Sequence, residues 1–365
     1  MLKTWPLYGK ITAVILLIYL ILYGFYLGQD ILAPLGFAFL FSVLLRPLEK
    51  RFIKWYVPKI LAIIFTLLIA ILVVAGLVTF LSKQIASFVK DVPEIKHNLN
   101  DLWHKCQHWL YATFNLTHAD QDKIIQKAKS ETMNNIGPAD TIGMVTTSLS
   151  SIILIPVYVF LFLYYRTLLL RFIVELFEEK HHHNVHHVIQ EIRYVVQHYI
   201  TGLLTETTIV AILNIVGLLL IGAPFALLLG IIAAILNLIP YIGGLVAVFL
   251  TAFITFTNTA SITISIWAVV VFMVVQLIDN NILVPRVIAS RVKLNALISI
   301  VGVLIGGAIC GVSGMFLSIP LIAICKVIFD KVEELHPWGK LLGDDIPATT
   351  VLKNVLRRRP KILIK

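Results

Sequence analysis

The 365-residue chain is 59% hydrophobic and only 14% charged, with a mean hydropathy of +0.91. A soluble domain carries about 25% charged residues, so this balance excludes a water-soluble enzyme or binding module and defines an integral membrane protein. The formal net charge of +10 is no sign of nucleic-acid binding, because the basic residues stand beside apolar spans, where the positive-inside rule puts them.

In chain order, apolar runs long enough to cross a bilayer fall at 10–28, 30–46, 58–82, 146–165, 200–221 and 261–283. Two regions, 224–257 and 295–329, are too long for one simple span. The first run reads as a retained helix rather than a cleaved signal peptide, since it lacks a small-residue cleavage site. Between the second and third runs Arg46, Lys50, Arg51, Lys54 and Lys59 face only Glu49, which places that loop in the cytoplasm. Arg286, Arg291 and Lys293 form a second basic segment, and the tail with Arg357, Arg358, Arg359, Lys361 and Lys365 a third. All three lie inside only if both termini are cytoplasmic. Segment 83–145, with seven basic and seven acidic residues, then faces outward. Around Trp103, Leu110 and Tyr111 it reads as short amphipathic helices lying against the membrane or a neighbour. Cys106, Cys310 and Cys325 cannot all pair, and no disulfide framework is expected.

This topology makes 224–257 begin and end outside, and 295–329 begin and end inside. Each therefore makes two passes or a re-entrant hairpin. From Phe225 to Ile239 a helix rises only about 23 Å, short of a hydrocarbon core of about 30 Å. That favours a hairpin whose tip is NLIPYIGG, Asn237 to Gly244. Proline removes a backbone donor there and glycine loosens the helix. Irregular backbone at membrane depth survives only against protein or a watery cavity, and secondary transporters build binding sites from such breaks. The second region breaks among Gly306, Gly307, Gly311, Ser313 and Gly314, and its second arm carries Pro320.

The expected fold is all-α and polytopic, with about six full spans plus two broken-helix or re-entrant hairpins forming an inverted repeat in the C-terminal half. The alternative is that each long region is one bent helix. The expected division is a three-helix scaffold (1–82), an extracytoplasmic helical segment (83–145) and a spanning helix with a cytoplasmic helical segment (146–199). A transport core of two helix-plus-hairpin units (200–331) and a basic cytoplasmic tail (332–365) follow.

Few residues offer chemistry. Glu206 lies in an apolar helix, where an ionisable side chain costs about 2.5–3.5 kcal/mol and usually faces a cavity; alternatively it reaches the cytoplasmic interface from one turn in. Gln276, Asp279 and Asn280 fall at i, i+3 and i+4, on one helical face, and such oxygens suit a hard cation or a proton. The competing reading is an interfacial helix end tied to the basic loop through Arg286. Asn214, alone in an apolar helix, reads first as interhelical glue. Between His181 and His187 two pairs have i, i+4 metal-ligand spacing, but no acid completes a site and a solvated run is the simpler reading. The sequence has no Walker A, HExxH, CxxC or GxSxG motif, so nothing supports ATP-driven transport or hydrolysis.

Three stretches carry a family likeness: NLIPYIGG (237–244), QLIDNNILVPRVIASRV (276–292) and GGAICGVSGMFLSIPL (306–321). In order and spacing, and over essentially the whole chain, they resemble the autoinducer-2 exporter family of bacterial membrane proteins. The resemblance implies a secondary transporter. Some members are associated with export of the quorum-sensing signal autoinducer-2, others with sodium(lithium)/proton antiport. By motif it carries over Asn237, Pro240, Tyr241 and Gly243, then Gln276, Asp279, Asn280 and Pro285, then Gly311, Gly314 and Pro320. The chain departs at Gly244, where proline often follows the glycine, and at Leu203, where Gln often follows Gly202; Glu206 is unusual.

The expectation is a bacterial inner-membrane transporter without catalytic residues, cofactor or metal centre, coupled to H⁺ or Na⁺. Its expected partners are the lipid bilayer, a small-molecule or cation substrate and further copies of itself, with no nucleic acid. For export, Asn237, Tyr241 and Gln276 contact solute while Asp279 and Glu206 carry the coupling charge. For antiport, Asp279 binds Na⁺ or H⁺ competitively. A non-transporting membrane scaffold is the third reading.

Overall fold

The computed structural model describes residues 7–114, 153–239, 242–259, 261–289 and 294–344. Helices α1 (Leu7–Leu27) and α2 (Gln29–Lys54) meet at Gly28. Asp30 opens α2 and Arg51 and Lys54 close it, matching the charge bias of the helix dipole. A left-handed Tyr56 turns the chain into α3 (Lys59–Phe114). At 56 residues α3 is about 84 Å long, so it passes far beyond any bilayer. This corrects the expectation of separate short helices after residue 82: the backbone runs on unbroken to Phe114. The remainder of segment 83–145, and the tail beyond 344, lie outside the described residues.

Helix α4 (Ile153–Tyr164) bends by 63° into α5 (Arg166–Glu175). After a short 3₁₀ turn (Glu179–His181), α6 (His182–Leu220) is the longest strut of the C-terminal half. It ends in a Schellman motif. Gly222, at φ +69°, takes the left-handed conformation, the Ala223 N–H donates to Leu218 O and the Gly222 N–H to Leu219 O. The chain thus reverses sharply into α7 (Ala226–Asn237), followed by α8 (Ile242–Thr259) and α9 (Ile262–Ile278). Helix α9 widens directly into a π-helix, Asp279–Ala289, and α10 (Ala296–Lys331) and a short α11 (His336–Leu342) finish the described chain.

Both long regions fold back on themselves. In the first, α7 packs antiparallel to α8. Ala226, Leu229, Ala233, Ala247, Ala268 and Phe272 form one buried cluster with Leu218, the alanines letting backbones approach closely. In the second, α10 breaks where Cys310 (φ −130°, ψ 22°) and Gly311 (φ 56°, ψ −141°) leave helical geometry. Its arms, 296–309 and 312–331, then run side by side. A Cβ on Gly302 would meet Ile322, and one on Gly306 would meet the Gly314 carbonyl. Residues 302 and 322 would be about 30 Å apart in a continuous helix, so the alternative of one long bent helix is overturned. The hairpins open toward opposite ends of α6: Ala226 adjoins its Leu218 end, whereas Lys331 pairs with Glu191 near its start. Leu238, at the first tip, and Phe316 and Leu317 of the second hairpin pack against one buried cluster formed by Leu40 of α2 and Val196, Tyr199, Ile200 and Leu203 of α6.

By length and composition, five helices among the described residues can cross a membrane, or six with the bent α4–α5 pair. Leu16, Leu17, Leu72, Val73 and Phe249 are more than half exposed, as expected of faces covered by lipid rather than water.

Candidate functional site

The first hairpin tip carries polar atoms into the centre of this packing. Glu206 lies about 21 Å before the Leu220 end of α6, so α7 must descend nearly its whole length to reach it. There Asn237, the last residue of α7, donates from Nδ2 to Glu206 Oε1 at 3.0 Å and to Asp279 Oδ2 at 3.0 Å. The two carboxyl groups lie against each other, within hydrogen-bonding reach. Both residues are almost wholly buried, Glu206 at 3% and Asp279 at 2% exposure.

Asp279 stands where α9 gives way to the π-helix. Such a wide turn alters the backbone ladder and is frequent at functional sites. Gln276 Nε2 donates to Asn280 Oδ1 at 3.2 Å and points weakly at Asp279 Oδ2 at 3.5 Å. Asp279 Oδ1 and Asn214 Oδ1 are buried without a hydrogen-bond partner. Together Asn214, Asn237, Gln276 and Asp279, with Val210, Phe272 and Gly244, line a cavity of about 10 Å³. That is room for about one water. Gly244 borders it because a Cβ there would stand 2.9 Å from Gln276 Oε1.

The sequence-derived residues divide clearly. Glu206, Asn214, Asn237, Gln276 and Asp279 converge, and Gly243 holds the tip closed, its Cα so near the Leu236 carbonyl that no Cβ fits. Asn280 and Asn281 turn outward to the exposed face. Pro240 and Tyr241 lie outside the described residues. Gly306, Gly307, Gly311, Gly314 and Pro320 belong to the second hairpin. Its tip, with Ser313 and Cys310, borders a separate cavity of about 180 Å³ beside Gln29, Asp30 and Phe37. The histidine run makes local contacts instead: His182 with the Phe177 carbonyl, His186 with Gln190 and His187 with Glu191. Two contributors were missed. Tyr199, buried at 5% and within electrostatic reach of Glu206, stands two turns before it on the same helix face, a spacing that could have revealed it. Gly202 was noted only for its neighbour, yet its Cα faces the Val287 carbonyl of the π-helix.

Two substitutions follow from these contacts. In Gly202→Ala the new Cβ would lie 2.6 Å from Val287 O, and backbone cannot swing aside as a side chain does. A loss of about 1–3 kcal/mol is expected, read as a lower Tm in detergent together with reduced transport. Asn237→Ala removes the donor shared by two buried carboxyls, a deletion worth about 1–3 kcal/mol. It should lower transport at least about tenfold in a vesicle flux assay, while the cavity-lining residues of α6 and α9 stay packed.

These features define a multi-pass helical membrane protein with a buried acidic site where the first hairpin tip meets α6 and the start of the π-helix. The chain matches the AI-2E family transporter description over residues 15–334 and belongs to that family, whose members are transport proteins and not enzymes. It is 25% identical to YhhT of Escherichia coli over 330 residues, covering 90% of this chain and 93% of that one. It is 26% identical to YueF of Bacillus subtilis over 312 residues, or 81% and 82% of the two chains. Similarity to the AI-2 transport protein TqsA of Escherichia coli is 23% over 345 residues, or 92% and 96%.

Proposed function

We propose that the chain is a secondary active transporter of the bacterial inner membrane, with cytoplasmic termini, in which Glu206 and Asp279 carry the coupling charge for H⁺ or Na⁺. Its cargo is a small polar solute such as autoinducer-2, moved outward. The observation that carries this reading is the pair of buried carboxyls joined through one Asn237 amide. Two ionised carboxyls side by side repel, and one positive charge between them relieves the repulsion. Gaining or losing that charge therefore changes how firmly the hairpin tip holds α6 and the π-helix together. The oppositely opening hairpins support an inverted repeat, the architecture that alternates access around a fixed midplane site. The solute class rests on the likeness to TqsA, and the cytoplasmic termini on the basic segments.

Sodium(lithium)/proton antiport is the second reading, favoured by one observation. The cavity beside Asp279, about 10 Å³, has room for an ion or a water and none for an organic solute in this conformation. Proteoliposomes with an imposed proton gradient and an internal pH dye separate the two. Proton movement triggered by Na⁺ or Li⁺ alone supports antiport, and movement that needs autoinducer-2 supports coupled export. Solute flux indifferent to every ion gradient would sink the coupling role.

A further inference from the structure

At the end of the bundle where α2 finishes, three arginines from three helices converge: Arg46 of α2, Arg166 at the start of α5 and Arg193 of α6. Each lies within electrostatic reach of the other two. Among the described residues the only acid acting on the group is Glu49, and no arginine–Glu49 ion pair forms there. Arg46 is 7% exposed and Glu49 6%. Even so, Nε and Nη1 of Arg46 and Nε of Arg193 are buried with no hydrogen-bond partner. Lys59 stands beside them, its Nζ donating to the Tyr164 carbonyl at 2.8 Å and lying over the Tyr164 ring.

Nothing in helix packing requires this. Like charges gathered from separate helices oppose assembly, and buried guanidinium N–H groups left without acceptors cost more than exposed ones. Three guanidinium groups against one carboxylate leave an excess of two positive charges. The group that answers both deficits has negative charge and several acceptor oxygens in one compact unit. Guanidinium forks match phosphate in this way, and basic pockets between spanning helices bind phospholipid headgroups.

We infer that Arg46, Arg166 and Arg193 form a phosphate-binding site that ties α2, the α4–α5 bend and α6 together. The phosphate comes from an anionic phospholipid headgroup or from free phosphate. The site is independent of the Glu206–Asp279 pair: Arg193 is about 20 Å from Glu206 along α6. Bound phosphate would fix the strut on which the carboxyl pair is mounted.

The test is thermal unfolding of the purified full chain in two arms. One compares phosphatidylcholine vesicles with and without phosphatidylglycerol. The other compares sodium phosphate with sodium chloride at equal ionic strength in detergent. The expected result is a rise in Tm of about 3 °C or more with one of the two, abolished in both Arg46→Gln and Arg193→Gln and retained in Arg51→Gln, whose side chain is exposed on the same helix. A response to phosphatidylglycerol alone assigns the headgroup; a response to inorganic phosphate assigns the free anion. No rise in either arm overturns the site, as does a rise that survives in Arg193→Gln or is lost equally in Arg51→Gln.

Discussion

Asp279→Asn is expected to abolish gradient-coupled transport while leaving the protein folded and at least as thermostable as the wild type. Asparagine keeps the shape of Asp279, and its side-chain oxygen can still accept from Asn237 Nδ2. What disappears is one of two negative charges confined beside each other. At about 4 Å and an effective dielectric of about 20, that repulsion is on the order of 4 kcal/mol before a proton or cation relieves it. Removing it therefore favours the packed state. Without it, however, the site has no reason to bind and release a positive charge, and flux should fall by more than about tenfold. Glu206→Gln should behave in the same way. The check is parallel measurement of Tm and vesicle flux; a destabilised but active Asp279→Asn variant would reverse the assignment.

Gly314→Ala should do the opposite, harming the fold before the chemistry. Its new Cβ would sit 2.0 Å from the Gly306 carbonyl oxygen and 2.9 Å from Cys310 Cβ. Both arms of the second hairpin meet there backbone to backbone, so one must move. A loss near the upper end of the 1–3 kcal/mol typical of overpacking, about 3 kcal/mol, is expected. Gly76→Ala is the matched control. Nothing lies within 4 Å of a Cβ built at that helical position, and replacing helical glycine with alanine favours the helix by up to about 1 kcal/mol. Unfolding followed in detergent should show Gly314→Ala well below the wild type and Gly76→Ala level with it or above.

The hairpins were legible in the sequence because proline and glycine interrupt apolar runs too long for one span and too short for two. The polar residues at the first break were legible for a related reason, since an acid or amide at membrane depth is costly without a partner. Which partner it has was not legible. Asn237 meets Glu206 and Asp279 from 31 and 42 residues away, and no periodicity along one helix reports a contact between three. The one-face spacing of Gln276, Asp279 and Asn280 proved incomplete for a local reason. The π-helix begins at Asp279, and its wider turn goes with a buried Asp279 beside an exposed Asn280. Helix α3 misled differently, because falling hydrophobicity after residue 82 marks where the membrane ends and not where the helix does. The arginine cluster was not legible because Arg46, Arg166 and Arg193 lie on three different helices, and no spacing along one helix reports the others.

In the proposed mechanism Glu206 and Asp279 act as one unit holding one positive charge. The most direct measurement is ion-gradient-driven flux in proteoliposomes for the wild type, Glu206→Gln, Asp279→Asn and the double variant, reconstituted at matched density. Groups that act as a unit are strongly non-additive. Each single variant is expected to be as inactive as the double. Independent, additive losses, or a double variant that still transports down the imposed ion gradient, would contradict it.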